Sequence, residues 1–543
     1  LTRLLFCFYA EDTGIFAEAQ MTSAIQSSTQ IDGSDLAQFF SDLFKVLNLD
    51  DNSPERKDMP AHFQAFPYVN GGLFQTDEPI PEFGRQARRI LIDCGTLDWS
   101  DINPDIFGSM FQAVIDEEHR ANLAQHYTSV PNIMKVIKPL FLDPLYDDLE
   151  NSRNSDKKLQ KLLVRLENIR IFDPACGSGN FLIIAYKELR KLEMEVIDAL
   201  NATGVQTVMY YSGIRLSQFY GIEIDDFAHE VAILSLWLAE HQMNTRFKEK
   251  FGYTEPTLPL RDSGNIVVGN SLQLDWEKVC PKRNVYGTPY EIYICGNPPF
   301  LGKKERTVSQ TRDMDYVLGK LKGLKSLDYV SCWFYKGAEY IQNSDNECAF
   351  VSTNSITQGE QVGYLWPAIF AKKVFINFAY QTFVWKNSAR DNAGVHVVII
   401  GLSYKRANLK IFIETGGTLR TVKASSINPY LLDSQTGPII SRSSALCDVS
   451  KIMDGNNYTK SSGLILSDSE KDSLLVNEPG AKPWIRRFVG GYEFINSKDR
   501  YCLWLVGITA NEIDEMPLVK NRIEEVRKDR LLSDKKETRE KAS

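Results

Sequence analysis

The spacing of apolar residues predicts helices through the first part of the chain. In Asp35–Leu49 the apolar positions 36, 39, 40, 43, 44 and 47 fall on one face of a helix. A segment rich in proline and glycine follows at 63–83. Because no constellation of catalytic side chains appears here, we predict that residues 1–125 form a helical connector, or spacer, domain.

The pattern changes between residues 126 and 405, where short apolar runs alternate with longer helical patterns. The runs are Ile169–Phe172, Gln218–Ile224, Asn265–Val268, Tyr290–Cys295, Ala349–Ser352 and Val395–Leu402. Strands that alternate with helices favour a doubly wound α/β sheet. Such sheets bind ligands beyond the carboxyl ends of their strands, so the residues that follow each run are the candidates for chemistry.

From residue 406 onward the pattern is a mixture of helix and strand signals. Leu409–Glu414 and Tyr501–Val506 read as short strands, and a highly charged helix is predicted near Leu518–Arg530. We therefore predict a third region, 406–543, of α+β character.

Composition and charge narrow the class of protein. The 543 residues are 43% hydrophobic and 11% aromatic, which excludes a disordered or fibrous chain. Lysine and arginine number 62 against 70 acids, a net charge of −8. A nucleic-acid ligand would therefore need a local basic surface.

Cysteine and histidine usage gives no metal site. The nine cysteines include no C-x-x-C pair and the six histidines no H-E-x-x-H, a pattern typical of a reduced, intracellular protein. No apolar run approaches the roughly 18 residues that span a bilayer, and no signal peptide opens the chain. The chain begins with Leu1 rather than methionine, which we interpret as an internal fragment of a longer protein.

Acids end the first two apolar runs. In Asp173–Gly179 (DPACGSG) an acid is followed by two glycines, which let the backbone approach a ligand closely, and the acid can hold a ligand ammonium. Glu223 ends the next run, in GIEID. In nucleotide-binding α/β folds an acid at this place holds ribose hydroxyls. This pair alone does not separate a dinucleotide from S-adenosylmethionine.

Amides end the next two runs, at Asn270 in GNSL and at Asn297 in GNPPF. In Asn297-Pro298-Pro299-Phe300 the prolines stiffen the turn and remove donors, so carbonyls and the Asn297 side chain become fixed acceptors with an aromatic ring behind them. Methylating an exocyclic amine requires such acceptors, because the amine gains positive charge as it attacks the methyl group.

In this order, DPACGSGNF, GIEID, GNSL and GNPPF resemble motifs I to IV of S-adenosylmethionine-dependent amino-methyltransferases. Gln125–Ser129, before the first of them, resembles motif X, an order that is typical of gamma-class DNA adenine-N6 methyltransferases. Further stretches resemble the methylase portion of type IIG, or IIL, single-chain restriction–modification enzymes: Asn70–Phe74, Ile106–Ser109, Ala389–Gly401, Arg486–Gly491 and Glu493–Asn496.

The resemblance implies a domain plan. Residues 126–405 would form a Rossmann-like methyltransferase domain with a mixed seven-stranded sheet, and 406–543 a partial target-recognition domain that ends in the charged helix. It implies site-specific methylation of adenine N6 in double-stranded DNA, with base flipping, in the cytoplasm of a bacterium or archaeon. It also implies a nuclease domain on the same full-length chain, absent from these residues.

The resemblance also implies roles for single residues. The implied cofactor-binding set is Thr128, Asp173, Ala175, Cys176, Gly177, Gly179, Glu223, Ile224, Asn270 and Leu272. Within it Asp173 holds the amino group of S-adenosylmethionine, Glu223 the ribose hydroxyls and Asn270 the adenine amine. The implied catalytic set is Asn297, Pro298, Pro299 and Phe300, with Phe300 stacked on the flipped base.

Two positions depart from the family pattern. Ser129 follows Thr128 where many relatives have proline, and Asn270 stands where simpler adenine methylases often carry aspartate. An amide oxygen still accepts a hydrogen bond from an amine, so we expect tuning at Asn270 rather than loss.

Two further features concern the substrate side. Trp385 is expected to form the second wall of the base pocket, with an ordinary core aromatic as the alternative. Residues 301–325 contain seven lysines and arginines against three acids, and Lys303, Lys304 and Arg306 are expected to contact the DNA backbone.

Other functions stay open at this point. The same motifs would serve an amino-methyltransferase that acts on cytosine N4, on an RNA base or on a protein glutamine. A non-catalytic DNA-recognition subunit would be expected to have lost Asp173, Gly177, Asn297 or Phe300, and all four are present. A nicotinamide-dependent oxidoreductase shares the fold but does not explain the Asn-Pro-Pro-Phe turn.

Overall fold

A computed structural model of the chain describes residues 1–69, 72–74, 79–100, 102, 128–203, 211–253, 264–319, 321, 323–385, 395–440, 442, 444–450, 463–533, 535–540 and 542. These residues form two compact units, Leu1–Ser441 and Arg442–Ser543. Of the stretches that carry the family resemblance, Gln125–Tyr127, Ile106–Ser109, Asn70–Gly71 and the first part of Ala389–Gly401 lie outside the described residues.

The first unit begins with the predicted helices. They are α1 Thr2–Asp12, α2 Gln20–Ser28, α3 Leu36–Asn48, α4 Pro54–Lys57, α5 Ala61–Gln64 and α6 Arg85–Cys94. The prediction for Asp35–Leu49 is confirmed by α3, whose apolar stripe is buried. After a gap in the described residues, α7 Val130–Ile137 passes through a π-helical turn, Lys138–Leu142, into α8 Asp143–Glu150 and then α9 Asp156–Asn168.

Strands and helices then alternate as predicted. The strands are β1 Ile169–Asp173, β2 Phe219–Glu223, β3 Asn265–Val268, β4 Glu291–Gly296, β5 Glu347–Thr353, β6 Phe375–Trp385, β7 Val395–Ser403, β8 Lys410–Thr415 and β9 Thr418–Lys423. The helices between them are α10 Asn180–Ala202, α11 Asp226–Phe251, α12 Trp276–Val279, α13 Val308–Leu318, α14 Ser331–Ile341 and α15 Gly359–Phe370.

All nine strands form one mixed sheet in the order β3-β2-β1-β4-β5-β7-β6-β8-β9. The five strands from β3 to β5 are parallel, whereas β7 runs antiparallel to β5 and to β6. The α/β fold class is therefore confirmed. The expected seven strands are corrected to nine, because β8 pairs with β6 and β9 pairs with β8. The first compact unit, which contains these nine strands, runs to Ser441, and the predicted domain bounds stay predictions.

The central strands are buried on both faces, which explains their continuous apolar runs. Alternate side chains enter two different cores. Ile169 and Ile171 of β1 belong to the core on one side of the sheet, while Phe172 belongs to the core on the other side. Strand β1 lies between β2 and β4, so the strand order reverses beside it, at the place where doubly wound folds bind ligands.

Helix α11 joins the N-terminal helices to the sheet. Ala232, Leu236 and Met243 on one side of α11 pack into the core beneath the sheet. Trp237 and its neighbours on the other side pack into an aromatic-rich core with α1 and α3. The N-terminal helices and the sheet therefore share α11 as a common wall.

The second unit contains a small antiparallel sheet in the order β10-β12-β11. Its strands are β10 Ile465–Leu466, β11 Ile485–Arg487 and β12 Tyr501–Leu503. Its helices are α16 Asp468–Asn477, α17 Gly491–Asn496, α18 Ala510–Asp514, α19 Pro517–Leu531 and α20 Lys536–Glu540. The predicted charged helix near Leu518–Arg530 is α19. No helix in the described part of the chain combines the length and apolar character needed to cross a bilayer.

The shared wall gives a stability prediction. Trp237 is 2% exposed, and its ring centroid lies 5.3 Å from that of Phe6 on α1. Replacing Trp237 with alanine is expected to lower the free energy of unfolding by about 3–5 kcal/mol, because it removes a large side chain from a packed core. Denaturant unfolding followed by circular dichroism would measure this. As a control, Val164→Ala, at a side chain 64% exposed, should change stability by less than about 0.5 kcal/mol; equal effects would contradict the shared core.

Candidate active site

The two predicted acids lie side by side at the carboxyl edge of the sheet. Asp173 ends β1 and is 1% exposed, and Glu223 ends the neighbouring β2 and is 5% exposed. Burial raises the pKa of both carboxyls, and the pKa of Asp173 rises to about 8. Hydrogen bonds from backbone N–H groups oppose this shift at both residues.

The loop after β1 holds these carboxylates in place. The Ala175 N–H donates to Oδ1 of Asp173 (3.0 Å), and the Gly177 N–H donates to Oε2 of Glu223 (2.7 Å). The Cys176 N–H donates to the Ile222 carbonyl (3.1 Å). These three backbone N–H groups therefore donate to the ends of β1 and β2 and fix the two acids. The cofactor-binding role of residues 175–177 stays a prediction.

Glycines make this loop possible. Gly177 and Gly179 have φ of +55° and +84°, in the left-handed region that favours glycine. A Cβ at Gly179 would lie 3.1 Å from the Cβ of Ala232 on α11, so a larger residue would push α10 away from α11. A Cβ at Gly177 would meet nothing within 4 Å, so this turn faces open space.

Strand β4, which pairs with β1 on the side opposite β2, ends next to Asp173. A Cβ at Gly296 would clash with the carboxylate of Asp173, so β4 can lie beside this carboxylate only with glycine at its end. The turn Asn297–Phe300 follows directly. The residue types of β1 and β4 therefore bring the acid of the first motif and the amide of the fourth to one place.

The Asn297 amide is held at one end only. Its Nδ2 donates to the hydroxyl of Thr128 (3.1 Å). Its Oδ1 is buried and has no hydrogen-bond partner among the described residues. Leaving a buried acceptor without a partner costs about 1–3 kcal/mol, so such an atom calls for an explanation. An incoming N–H group would supply the missing donor.

Asn270 lies two residues beyond the end of β3, and both ends of its amide are held. Its Oδ1 accepts from the Leu272 N–H (2.9 Å), and its Nδ2 donates to Oδ2 of Asp313 on α13 (3.0 Å). Leu272 is fully buried behind it. Ile224, next to Glu223, is 53% exposed, so an apolar side chain is presented at this edge of the sheet.

Three family models match consecutive parts of the chain. They describe the helicase spacer domain of MmeI at residues 1–74, its DNA-methyltransferase domain at 149–413 and its target recognition domain at 433–543. A solved structure of the type IIL restriction–modification enzyme MmeI in complex with DNA is 43% identical, with a TM-score of 0.85. The match covers 100% of this chain and 72% of that one. The chain belongs to the MmeI family.

A Bacillus subtilis protein named DNA methyltransferase A is 46% identical over 525 residues. The match covers 96% of this chain but 58% of the Bacillus protein, so the chain spans little more than half of that relative. The predicted resemblance to type IIG/IIL enzymes is thus confirmed as membership of the MmeI family. The roles of single site residues stay predictions.

On the substrate side, this MmeI-family chain places Phe300 between the two cores of the sheet. Phe300 is half-buried and packs against both apolar clusters. Trp385, at the end of β6, is 6% exposed and belongs to one of these clusters together with Phe383. The Phe383 ring is covered by the Lys135 ammonium at 4.1 Å. Trp385 is thus a core aromatic in position, and its stacking role stays a prediction.

The basic segment after Phe300 differs in part from expectation. Lys303 and Lys304 are exposed and can face a polyanion. Arg306 differs because its side chain folds against the sulfur of Met314 on α13, and its Nε is buried without a partner among the described residues. Asp313, counted with the surface charges of this segment, is 4% exposed. Helix α13 therefore presents less charge to solvent than the sequence indicates.

Helix α14 supports the site in a way that the sequence analysis missed. The Trp333 Nε1–H donates to the Pro174 carbonyl (3.2 Å), behind the loop that follows β1. The Lys336 ammonium donates to the carbonyls of Ser271, Leu272 and Leu274 at 2.8, 3.2 and 2.7 Å, behind the loop that follows β3. The sequence does contain one indication of this: Trp333 and Lys336 are three residues apart, a spacing that puts both side chains on one face of a helix. No group of three or more side chains suited to a metal lies together in the described ranges.

Asp173 gives a pH prediction. Its pKa of about 8 in the folded protein lies above the value of about 3.9 for an unfolded chain. The folded state therefore keeps a proton that the unfolded state releases between about pH 4 and pH 8. Over this range the free energy of unfolding should fall as the pH rises, by at most about 1.4 kcal/mol per pH unit from this group.

Asp173→Asn should flatten this dependence, measured by denaturant unfolding at pH 5, 6, 7 and 8. A residual slope from Glu223 is expected, since burial raises its pKa too. Asp58→Asn, at an exposed acid just after α4, is the matched control and should keep the wild-type slope. An unchanged slope in folded Asp173→Asn would contradict the buried-acid assignment.

Proposed function

We propose that this chain is an S-adenosylmethionine-dependent methyltransferase that modifies adenine N6 in DNA within a restriction–modification system. The observation that carries the proposal is the buried Oδ1 of Asn297, an acceptor without a partner among the described residues. Asn297 directly follows Gly296, the strand end that lies against the Asp173 carboxylate. Membership of the MmeI family, with its DNA-methyltransferase and target recognition domains, supports the choice of DNA.

The residues at the strand ends fit S-adenosylmethionine. Asp173 forms no ion pair within the described part of the chain, and burial raises its pKa, so a ligand ammonium would supply the opposite charge that favours the ionised carboxylate. Glu223 on the next strand suits ribose hydroxyls, and exposed Ile224 suits an adenine face. Asn270 offers the second lone pair of its Oδ1 to the adenine amine. When bound, the cofactor would supply an electrophilic methyl group on its sulfonium.

The chain's own part in the reaction is to orient and polarise the target amine. Thr128 holds the Nδ2 end of Asn297, which leaves Oδ1 to accept a hydrogen bond from the amine. As the amine nitrogen gains positive charge, this bond strengthens and lowers the barrier. The Pro298 carbonyl would accept the second N–H, and Phe300 would stack on the flipped base, because a base within a duplex cannot reach such a pocket. Lys303 and Lys304 would contact phosphates.

The modified base tests the function directly. Incubation with methyl-labelled S-adenosylmethionine and mixed-sequence DNA, followed by nucleoside analysis, should give N6-methyl-2′-deoxyadenosine as the labelled product. If the label is found in N4-methylcytosine, the substrate is cytosine and not adenine. Label in RNA or protein, with none in DNA, would overturn the proposal.

Asn297→Ala tests the carrying observation. Methyl transfer should fall by roughly 100-fold or more, because one preorganised acceptor in the transition state is lost. Affinity for S-adenosylmethionine, measured by calorimetry, should stay within about threefold, since no cofactor role is assigned to Asn297. Asn201→Ala, at an exposed amide on α10, is the matched control and should behave as the wild type. Normal turnover in the Asn297 variant would refute the role.

A further inference from the structure

A buried carboxylate outside the proposed reaction lies behind the cofactor site. Asp313 on α13 accepts hydrogen bonds from three uncharged donors. Oδ2 accepts from Nδ2 of Asn270 (3.0 Å) and from the Tyr329 hydroxyl (2.9 Å), and Oδ1 accepts from Nε2 of Gln273 (2.8 Å). Burying a carboxylate is costly unless hydrogen bonds compensate it, so these contacts are what keeps Asp313 there.

The position of Asp313 is itself fixed. Helix α13 begins with a capping box, in which Gln310 Oε1 accepts from the Thr307 N–H (2.9 Å) and Thr307 Oγ1 accepts from the Gln310 N–H (3.3 Å). Tyr329 is tied in turn to the residue after Phe300, because its N–H donates to the Leu301 carbonyl (3.1 Å). The carboxylate is therefore a rigid reference point behind the end of β3.

A carboxylate dictates which way a neighbouring amide points. An ionised carboxylate only accepts hydrogen bonds, whereas an amide has a donor end and an acceptor end. Asp313 therefore holds the NH₂ end of Asn270, and Oδ1 must lie toward the Leu272 N–H. Rotating the amide by 180° would place Oδ1 against the carboxylate and Nδ2 against an N–H donor, two unfavourable contacts.

We infer that Asp313 is a positioning residue that fixes Asn270 as a hydrogen-bond acceptor and so makes the cofactor site select a base with an exocyclic amine. The inference rests on the proposed function, which gives Asn270 the adenine amine of the cofactor. The inference adds the source of the selectivity. A base that carries an oxo group in place of the amine would bring a second acceptor against the fixed acceptor Oδ1 of Asn270, and this contact is unfavourable. Without Asp313, the Asn270 amide can turn and donate to that oxo group.

The test compares two product analogues by calorimetry. S-adenosylhomocysteine carries the amine, and S-inosylhomocysteine carries an oxo group at the same position and a proton on the neighbouring ring nitrogen. The wild-type chain should bind the adenosyl compound roughly 10- to 100-fold more tightly, the range expected when a buried acceptor loses its donor. In Asp313→Leu this preference should fall by about tenfold, because the Asn270 amide is free to turn, while any contribution from the ring nitrogen stays the same.

Asp315→Leu is the matched control, since it removes an exposed acid two residues along the same helix. It should keep the wild-type preference. Loss of preference in both variants would overturn the inference, because the effect would then follow from any charge removed from α13.

Asp313→Asn is the second variant if Asp313→Leu does not fold. An amide at position 313 can accept as well as donate, so it no longer dictates which end of the Asn270 amide faces it. The preference for the adenosyl compound should then fall by about tenfold, as in Asp313→Leu. A folded Asp313→Asn that keeps the wild-type preference overturns the inference.

The results distinguish a failure of this inference from a failure of the proposed function on which it rests. A wild-type chain that binds neither analogue would overturn the proposed cofactor and the inference with it. A wild-type chain that binds the adenosyl compound, together with a folded Asp313→Leu that keeps the full preference, would overturn the inference alone.

Discussion

The burial of two carboxylates at the carboxyl edge of the sheet is the constraint from which the site follows. Asp173 and Glu223 end adjacent parallel strands, and each needs donors to remain there. The loop after β1 supplies N–H groups to both, and its path requires glycine at 177 and 179. The two acids thus determine the path of the loop, and the loop in turn holds the two acids in position.

The same constraint acts across the point where the strand order reverses. Because the Asp173 carboxylate occupies the space beside β4, that strand must end in Gly296. The rigid Asn297 turn then begins next to the acid. Behind it, α14 contacts the loops after β1 and β3 through Trp333 and Lys336. Groups that must act together are positioned by strand ends and one helix face, which limits their movement relative to one another.

Much of this arrangement is predictable from the sequence, for a local reason. Apolar runs that are followed by an acid or an amide mark both a strand and the candidate chemistry beside its end, so one pattern predicts β1 to β4 together with these polar residues. The same pattern does not predict Phe375–Trp385 as a strand, although its aromatic and β-branched residues favour one. The extension of the sheet by β8 and β9 depends on pairing with β6, and no local pattern states which strand pairs with which.

The charges after Phe300 show a second limit. A count of basic and acidic residues treats each charge as exposed, yet Asp313 is buried and Arg306 turns inward. Helical spacing gave a usable signal for Asp313, because it lies four residues before Val317, on the face whose apolar residues enter the core. The helical spacing does not show which residue the Asp313 carboxylate contacts. The contact with Asn270 joins residues 43 apart and exists only because β3 ends in front of α13.

Two asparagines at this edge illustrate how the same side chain is given different freedom. Asn270 and Asn297 both donate from the NH₂ end. The carbonyl oxygen of Asn270 also accepts from the Leu272 N–H and keeps one lone pair for a ligand, whereas no described residue donates to the carbonyl oxygen of Asn297. The holder of Asn270 is a carboxylate, which only accepts, so the orientation of that amide is enforced. The holder of Asn297 is the Thr128 hydroxyl, which can donate as well as accept. The acceptor at 297 is therefore the less constrained of the two, and no residue in the described part of the chain donates to it. A tightly oriented acceptor suits a cofactor that is bound in the same way at every turnover. A buried acceptor without a partner suits a group whose need for a hydrogen bond grows during the reaction, because the contact then favours the transition state over the ground state.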